Sequence, residues 1–148
     1  MIFESHAHYE DKSFNEDRDE ILSNLKEKNV NYIVNVGSSL RTCEETIALT
    51  KKYNFIYGSI GIHPSETMEL NDDNYTRLCN MMNENKVVAI GEIGLDYYWA
   101  EPSKDIQKKW FERQIYTAKE KNKPIICHSR EAAKDTLDII KSTRVDLI

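Results

Sequence analysis

The sequence alternates short apolar runs with longer segments that carry apolar residues at helical spacing, and this alternation limits the folds open to the chain. Ile and Val dominate the short runs, whereas the longer segments place apolar residues three or four positions apart. Such alternation is typical of βα units that build a parallel sheet. The predicted strands lie at about residues 2–8, 31–36, 55–62, 86–93 and 124–127, each followed by a helix, the first at 14–28 and the last at 130–141.

The predicted strands are apolar enough to be covered on both faces, as the strands of parallel sheets generally are. No linker or low-complexity tract separates the predicted units, and a single domain over residues 1–148 is expected. In α/β folds of this kind, ligands bind at the carboxyl ends of the strands. Functional residues should therefore lie where the predicted strands end.

Composition narrows the class of protein without identifying a substrate. The three cysteines are odd in number and widely spaced, which argues against a disulfide framework. No apolar stretch approaches the roughly 20 residues of a membrane span, and no secretory signal pattern opens the chain, so we expect a cytoplasmic protein. The net charge of −5 disfavours a broad basic groove for duplex DNA, although bound metal ions can supply local positive charge.

All four histidines of the chain follow apolar runs that are predicted to be strands. His6 and His8 end the first run, His63 ends the third, and His128 follows the fifth. The fourth run carries a carboxylate, Glu92, near its end. Because side chains two apart on a strand point the same way, His6 and His8 can hold one ion. These side chains should gather at one edge of the sheet.

Imidazole and carboxylate groups are ligands of zinc and similar divalent ions, and an open coordination position provides a hydroxide nucleophile. Two ions about 3.5 to 4 Å apart can clamp the attacking and leaving oxygens of a phosphodiester. Glu92 is the carboxylate in this set that suits a position between two ions. The pattern therefore predicts a metal-dependent hydrolase.

Each of these residues also has a purely structural interpretation. An H-x-H pair alone is a weak metal signal, and Glu92 can be a loop carboxylate. A histidine at a strand end, such as His63, can be a capping or hydrogen-bonding residue. Cys127 should point away from the face of His128 and pack in the core.

Three aromatic residues, Tyr97, Tyr98 and Trp99, follow the fourth predicted strand. Rings in such a position can stack on a nucleic-acid base. They can also pack beneath the loop, and packing is the interpretation that we favour. Asp96, directly before them, can orient a ligand or the loop.

Several segments together resemble the TatD family of metal-dependent deoxyribonucleases, which are amidohydrolase-like TIM-barrel hydrolases. They are MIFESHAHY, SIGIHP, VVAIGEIGLDYYW, a helical stretch with Phe111 and Gln114, and PIICHSREAAKDTLDII, in the family's order. The resemblance implies an α/β fold of the TIM-barrel type. The chain would form its N-terminal part, about five of the eight βα units of such a barrel.

The resemblance also implies a functional site and a substrate. The implied metal ligands are His6, His8, Glu92 and His128. Two divalent ions are expected, with Glu92 between them at the catalytic centre, and Mg, Mn and Zn are not distinguished. His63 and Arg130 would lie near a substrate phosphate, which the planar fork of arginine suits. Arg130 can instead begin a helix and pair with a carboxylate. The implied substrate is DNA, in single strands or at strand ends.

The chain departs from the family pattern in two places. Glu4 replaces the usual aspartate and would point inward beneath the histidines as a partner of a ligand. The sequence ends at residues 145–148, after five predicted units, so a histidine after the sixth strand and an aspartate after the eighth are absent. The aspartate is the expected partner of the attacking water, which makes the activity of the isolated chain an open question. An open sheet should self-associate, pair with a complementary fragment or fold poorly.

Three functions compete at this point. The first is metal-dependent cleavage of phosphodiester bonds in DNA, as the resemblance implies. The second is hydrolysis of a small amide, ester or phosphate on a similar metal scaffold, which the acidic net charge and the absence of a basic tail leave open. The third is a catalytically inert barrel fragment. Metal-binding and cleavage assays separate the three.

Overall fold

Parallel β-strands alternate with α-helices throughout residues 1–144, the part of the chain that the computed structural model describes. The sequence end discussed above, at residues 145–148, lies outside these residues. The strands are β1 (Ile2–Ala7), β2 (Val30–Val36), β3 (Ile56–Ile60), β4 (Val87–Asp96) and β5 (Ile125–Arg130). The helices are α1 (Arg18–Asn24), α2 (Leu40–Lys52), α3 (Asp72–Met81), α4 (Lys104–Glu120) and α5 (Ala133–Thr143). Two 3₁₀ segments cover Lys12–Phe14 and Pro64–Glu69.

The five strands form one sheet in the order β1-β2-β3-β4-β5, and every neighbouring pair is parallel. Each βα unit therefore adds its strand on the same side of the preceding one. A doubly wound sheet reverses its strand order at a switch point, whereas a TIM barrel does not. The described residues thus form five consecutive units of a TIM-barrel-type fold, as predicted.

Apolar side chains pack between the sheet and its helices in two clusters. The smaller cluster joins Leu22 of α1 and Leu49 of α2 to Ile33 and Ile56 of the sheet. The larger cluster covers β3 to β5 and includes Trp110, which is 4% exposed. Burial of such side chains stabilises each by about 1.5–3 kcal/mol, which holds the strands in register beneath the site.

Helices α2 and α3 each begin at a residue whose side chain caps the helix. The Ser39 side chain accepts the backbone N–H of Thr42, and the Asn71 side chain accepts that of Asn74. Both are capping boxes, in which the third helical residue bonds back to the cap. These caps fix where α2 and α3 begin, directly after the loops that leave the carboxyl ends of the strands.

Two buried glutamines of α4 bind the backbone at the carboxyl ends of β3 and β4. Gln114 accepts the N–H of Ile62 at 2.8 Å and donates to its carbonyl at 3.3 Å. Gln107 does the same for Asp96, at 2.8 and 2.9 Å. These bonds satisfy backbone groups that the strand ladder leaves unpaired. They hold in place the strand ends from which His63 and Asp96 project.

The first helix is shorter than the predicted range of 14–28, because α1 begins at Arg18 and ends at Asn24. The side chain of Asp11 accepts the backbone N–H of Ser13 and starts a 3₁₀ turn instead. The Arg18 guanidinium then donates to the carbonyls of Tyr9 and Asp11, at 2.5 and 2.9 Å. These contacts fold the segment after β1 back onto itself.

Strands β4 and β5 are longer than predicted, and the last helix begins later. Leu95 pairs with Ser129 and Asp96 with Arg130, so the ladder continues past the apolar residues. Gly94 makes the close pairing feasible, since a Cβ at this position would lie 1.9 Å from the carbonyl oxygen of His128. Its φ of +148° also disfavours other residues. His128 and Arg130 consequently lie on a strand, and α5 begins at Ala133.

The sheet face opposite α1 and α2 carries exposed aromatic side chains near the amino ends of the strands. Since Ile33 points to the helices, its neighbour Tyr32 points to the other face. Tyr32 is 45% exposed and its ring lies 6.5 Å from Phe3 and 6.3 Å from Tyr57.

None of the helices within residues 1–144 is long and apolar enough to cross a membrane.

Candidate metal centre

The two histidines of β1 converge on one point at the carboxyl end of the sheet. His6 Nε2 and His8 Nε2 lie 3.1 Å apart. Their side chains point the same way because they are two residues apart in an extended segment. The Nδ1 atom of His8 faces the Val36 carbonyl at 2.8 Å and the Glu10 carboxylate at 3.4 Å. His8 is therefore oriented from behind, with Nε2 turned toward His6.

Glu92 of β4 lies between this pair and a second group of imidazoles. One carboxylate oxygen is 3.4 Å from His6 Nε2, and the other is 3.0 Å from His128 Nδ1. His63 lies beside His128, with ring centroids 4.3 Å apart in an edge-on arrangement. The structure thus brings all of these predicted residues to one edge of the sheet.

The side chains fall into two sets that fit divalent ions. Ligand atoms of His6, His8 and Glu92 all lie within 4.8 Å of one another, and so do those of His63, Glu92 and His128. Glu92 belongs to both sets. Imidazole nitrogens and a shared carboxylate are donors that Zn²⁺, Mn²⁺ and related ions accept. The residues present therefore fit the predicted metal site.

Two buried carboxylates support the imidazoles from outside. Asp96 Oδ2 lies 3.1 Å from His128 Nε2, on the far side of the ring from Glu92. Asp96 is 5% exposed, and its Oδ1 accepts the backbone N–H of Tyr98. Glu10, also 5% exposed, holds His8 and accepts a bond from Asn35 Nδ2 at 2.7 Å. A carboxylate behind a ligating histidine fixes its tautomer and orientation.

Glu10 and Asn35 were missed in the sequence analysis, and the role of Asp96 was left open. Asn35 is fully buried, donates to Glu10 and Thr46, and accepts the backbone N–H of Tyr9. Asn35 is a polar residue within an apolar strand, and this feature of the sequence could have identified it. Glu10 follows His8 by two residues, but nothing in the sequence shows that the chain turns there.

The surroundings of His8 and His63 shift the pKa values of these two histidines in opposite directions. The hydrogen bond to Glu10 raises the pKa of His8, against the opposing effect of burial. Burial lowers the pKa of His63, and the nearby His128 lowers it further. Both effects favour the neutral form of the His63 imidazole. Its Nδ1 accepts the backbone N–H of Ser65 at 3.2 Å, so the proton of the neutral ring is assigned to Nε2.

Glu4 makes a different contact from the one expected. Its Oε1 accepts the backbone N–H of His6 at 3.1 Å, so it supports the main chain of β1. Glu10, and not Glu4, places its carboxylate against the Nδ1 side of the His8 imidazole, away from His6. The chain turns sharply after His8, which brings Glu10 back toward the imidazole of His8. Glu4 therefore partners His6 through the backbone.

Arg130 is the last residue of β5, and its guanidinium lies over the Tyr98 ring at 3.7 Å from the centroid. Within residues 1–144 it takes part in none of the ion pairs. The interpretation of Arg130 as a helix-start residue paired with a carboxylate is therefore wrong. Its predicted contact with a substrate phosphate stays a prediction.

The packing prediction for the three aromatic residues holds for Tyr97 alone. Tyr97 is half-buried, and its hydroxyl donates to Asp135 at 2.8 Å; burial raises its pKa above the ordinary value. Tyr98 and Trp99 are 50% and 60% exposed, so the packing prediction is wrong for them. The ladder of β4 continues to Asp96 and leaves the next residues at the surface.

Cys127 packs against the larger core cluster as predicted, and burial raises its pKa to about 11.

Comparison with known proteins agrees with this geometry. The sequence profile of the family described as TatD related DNase matches residues 3–147. The chain belongs to the TatD-related DNase family. The match includes each β-strand that contributes to the site.

Relatives share both the sequence and the fold of this TatD-family chain. It is 37% identical over 148 residues to the uncharacterized metal-dependent hydrolase YabD of Bacillus subtilis, covering 100% of this chain and 58% of YabD. It is 32% identical over 119 residues to the 3'-5' ssDNA/RNA exonuclease TatD of Cronobacter sakazakii, covering 80% of this chain and 45% of the relative. The crystal structure of YJJV, a TatD homolog from Escherichia coli K12, superposes with a TM-score of 0.89 at 26% identity, covering 96% and 56% of the two chains. The chain thus spans less than two thirds of the length of these relatives.

Proposed function

We propose that this chain carries the metal-binding half of a hydrolase that cleaves phosphodiester bonds in DNA, in single strands or at strand ends. The observation that supports this proposal is the position of Glu92, whose two oxygens face imidazoles on opposite sides. A carboxylate shared in this way suits a pair of divalent ions, and paired ions suit phosphodiester cleavage. The name of the Cronobacter relative, an ssDNA/RNA exonuclease, supports the substrate class.

The proposed ligands are His6 and His8 for one ion, His128 for the other, and Glu92 for both. The chemistry that divalent ions supply when bound is Lewis-acid activation of water and of the phosphoryl oxygens. Glu10 and Asp96 accept hydrogen bonds from the imidazoles and keep their other nitrogens directed at the centre. The chain itself therefore orients the site before substrate binds.

His63 is proposed to bind a phosphate oxygen of the substrate rather than a metal ion. Its neutral ring carries the proton on Nε2, because Nδ1 accepts the Ser65 N–H. A protonated nitrogen donates a hydrogen bond and cannot ligate a cation. Burial lowers the pKa of His63, which favours this neutral form of the ring.

A second candidate is hydrolysis of a small amide, ester or phosphate. An open cleft of about 770 Å³ begins at His8, and four carboxylates line it, from Glu10, Asp11, Glu66 and Glu69. Its one lining arginine, Arg41, pairs with Glu45 at 2.6 Å. Such a cleft disfavours a polyanion and leaves room for a small molecule.

Digestion of labelled single-stranded DNA with Mn²⁺ or Mg²⁺ tests the proposal, with His128→Ala and chelator as controls. We expect cleavage by the wild-type chain only when the metal is present, and a loss of at least about 100-fold in His128→Ala, by analogy with other losses of catalytic groups. Circular dichroism checks that the variant keeps its helices. Equal digestion by both proteins would show that the proposed site is wrong.

The same assay separates the remaining functions. If metal binds and small esters are cleaved while DNA survives, the second candidate is correct. If metal binds and neither substrate is cleaved, this chain alone is an inert fragment of the barrel. Metal content is measured on the same samples, so each result is assigned to binding or to chemistry.

A further inference from the structure

Two aromatic side chains remain at the surface directly beside the metal centre. Tyr98 is 50% exposed and Trp99 is 60% exposed, whereas Trp110, the other tryptophan of the sequence, is 4% exposed. The backbone N–H of Tyr98 donates to Asp96 Oδ1, and the other oxygen of Asp96 contacts His128. The exposed rings are thus fixed within two or three residues of a carboxylate that contacts a proposed metal ligand.

These rings and one arginine form a continuous surface, which we call the aromatic platform (Tyr98, Trp99 and Arg130). The Arg130 guanidinium lies 3.7 Å from the Tyr98 ring centroid. Tyr98 and Trp99 meet edge to face, with centroids 4.7 Å apart and ring planes at 87°. Both contacts are favourable geometries for aromatic and cationic groups, so the rings are held in a defined arrangement while staying open to solvent.

Charge distinguishes the platform from the other side of the metal centre. The cleft at His8 is lined by four carboxylates, which repel a polyanion. On the platform side, Arg130 is in none of the ion pairs within the described residues, and the exposed Lys104 lies over the Tyr97 ring at 4.4 Å. A nucleic-acid strand that reaches the metal centre should therefore lie across the platform and not in the acidic cleft.

We propose that the aromatic platform stacks an unpaired nucleobase of the strand whose phosphate lies at the metal centre. This inference rests on the proposed function and assigns its preference for single strands to a base-stacking surface. Aromatic rings stack on any base, which makes such a surface tolerant of sequence. In a duplex the base faces are covered by neighbouring bases, so the platform selects single strands and frayed ends. Arg130 supplies positive charge for the phosphate next to the stacked base.

The test compares an oligothymidylate with an abasic oligomer of the same length and phosphate count. Binding is measured with chelator present, so that no strand is cleaved, through the fluorescence of Trp99. We expect the oligothymidylate to bind more tightly than the abasic oligomer and to quench the fluorescence. Trp99→Ala should weaken oligothymidylate binding roughly 5- to 150-fold, measured by calorimetry, and should leave the abasic oligomer unaffected.

Tyr116→Ala is the matched control, because Tyr116 is 52% exposed on α4 and is not part of the platform. It should bind both oligomers as the wild type does. Equal affinity of the wild type for the two oligomers would overturn the proposal. An equal loss of affinity for the two oligomers in Trp99→Ala would also overturn it, because it would indicate a structural role for Trp99. A change from oligomer to monomer in Trp99→Ala would show instead that the rings form a protein interface.

Metal-dependent cleavage of the abasic oligomer separates this proposal from the proposed function. If the abasic oligomer is cleaved and the two oligomers bind equally, the platform is wrong and the hydrolase stands. If neither oligomer is cleaved with metal but Trp99 still discriminates between them, the platform stands and the hydrolase fails for this chain.

Discussion

At the scale of single residues, the imidazoles at the centre are oriented by carboxylates that the rest of the fold buries. Asp96 contacts His128 Nε2 while its backbone is bound on both sides by Gln107. Glu10 contacts His8 and is itself bound by Asn35. Within residues 1–144, no buried side-chain nitrogen or oxygen lacks a partner. The imidazoles are therefore oriented before any ligand binds, and such preorganisation reduces the entropy lost on binding.

Replacement of Asp96 by Asn should weaken metal binding, because the amide has the shape of the carboxylate but lacks its charge. We expect a loss of about 10- to 100-fold in affinity for Mn²⁺ or Zn²⁺, typical for partners of metal-ligating histidines. Isothermal titration calorimetry on the metal-free chain measures it. Asp135→Asn is the control, since Asp135 contacts Tyr97 and Lys108 away from the imidazoles. Equal metal affinity of both variants would refute a positioning role for Asp96.

At the scale of elements, α4 connects the core to the site. Its apolar residues, among them Phe111 and Ile115, are buried in the larger cluster, while Gln107 and Gln114 reach the ends of β4 and β3. The two glutamines are seven residues apart and so share one face of the helix. One helix thus sets the position of two strand ends that carry site residues.

Gln114→Met should destabilise the fold, since methionine fills similar space but leaves the N–H and carbonyl of Ile62 buried without partners. Each unsatisfied group costs about 1–3 kcal/mol. Urea denaturation followed by circular dichroism should show a lower free energy of unfolding by an amount in this range or above. The exposed Glu112 on the same helix provides the control, and Glu112→Met should stay within about 0.5 kcal/mol of the wild type. If both variants unfold at the same urea concentration, the bonds of Gln114 contribute nothing.

At the scale of the whole molecule, the sheet has open edges and one exposed face. We call this the inner face; it lies opposite α1 and α2 and carries Phe3, Tyr32 and Val88. Within the described residues, β1 and β5 each pair on one side only. Phe3 and Tyr32 are 58% and 45% exposed, and Val88 is 39% exposed on β4. Exposed apolar surface next to unpaired strands favours association with another polypeptide. The prediction that the chain self-associates or pairs with a complementary fragment stays open.

Tyr32→Lys tests this prediction, because a charge on the inner face opposes its burial against another chain. We expect the 148-residue chain to show a mass above that of the monomer in light scattering, and Tyr32→Lys to shift it toward the monomer. Leu137→Lys, at an exposed position on α5, should leave the mass unchanged. A wild-type chain that is monomeric at every concentration would contradict the prediction.

Local patterns in the sequence determined the order of the elements and most of the site. Short apolar runs that alternate with helix-like segments predicted the strands, because this pattern is typical of βα units, and period two placed His6 and His8 on one face. The same reasoning placed Glu92 and His128 at strand ends. These predictions depend on residues close together in the chain, so the sequence alone was sufficient.

Contacts between distant residues decided the rest. Pairing with β4 carried β5 to Arg130, and Asn35 of β2 binds Glu10, 25 residues earlier in the chain, where Glu10 contacts His8. The exposure of Tyr98 and Trp99 and the hydrogen bond of Asp96 to His128 likewise depend on how β4 and β5 lie together. Local propensity carries no information about partners 30 or more residues away, and only the packed sheet brings them within hydrogen-bond distance.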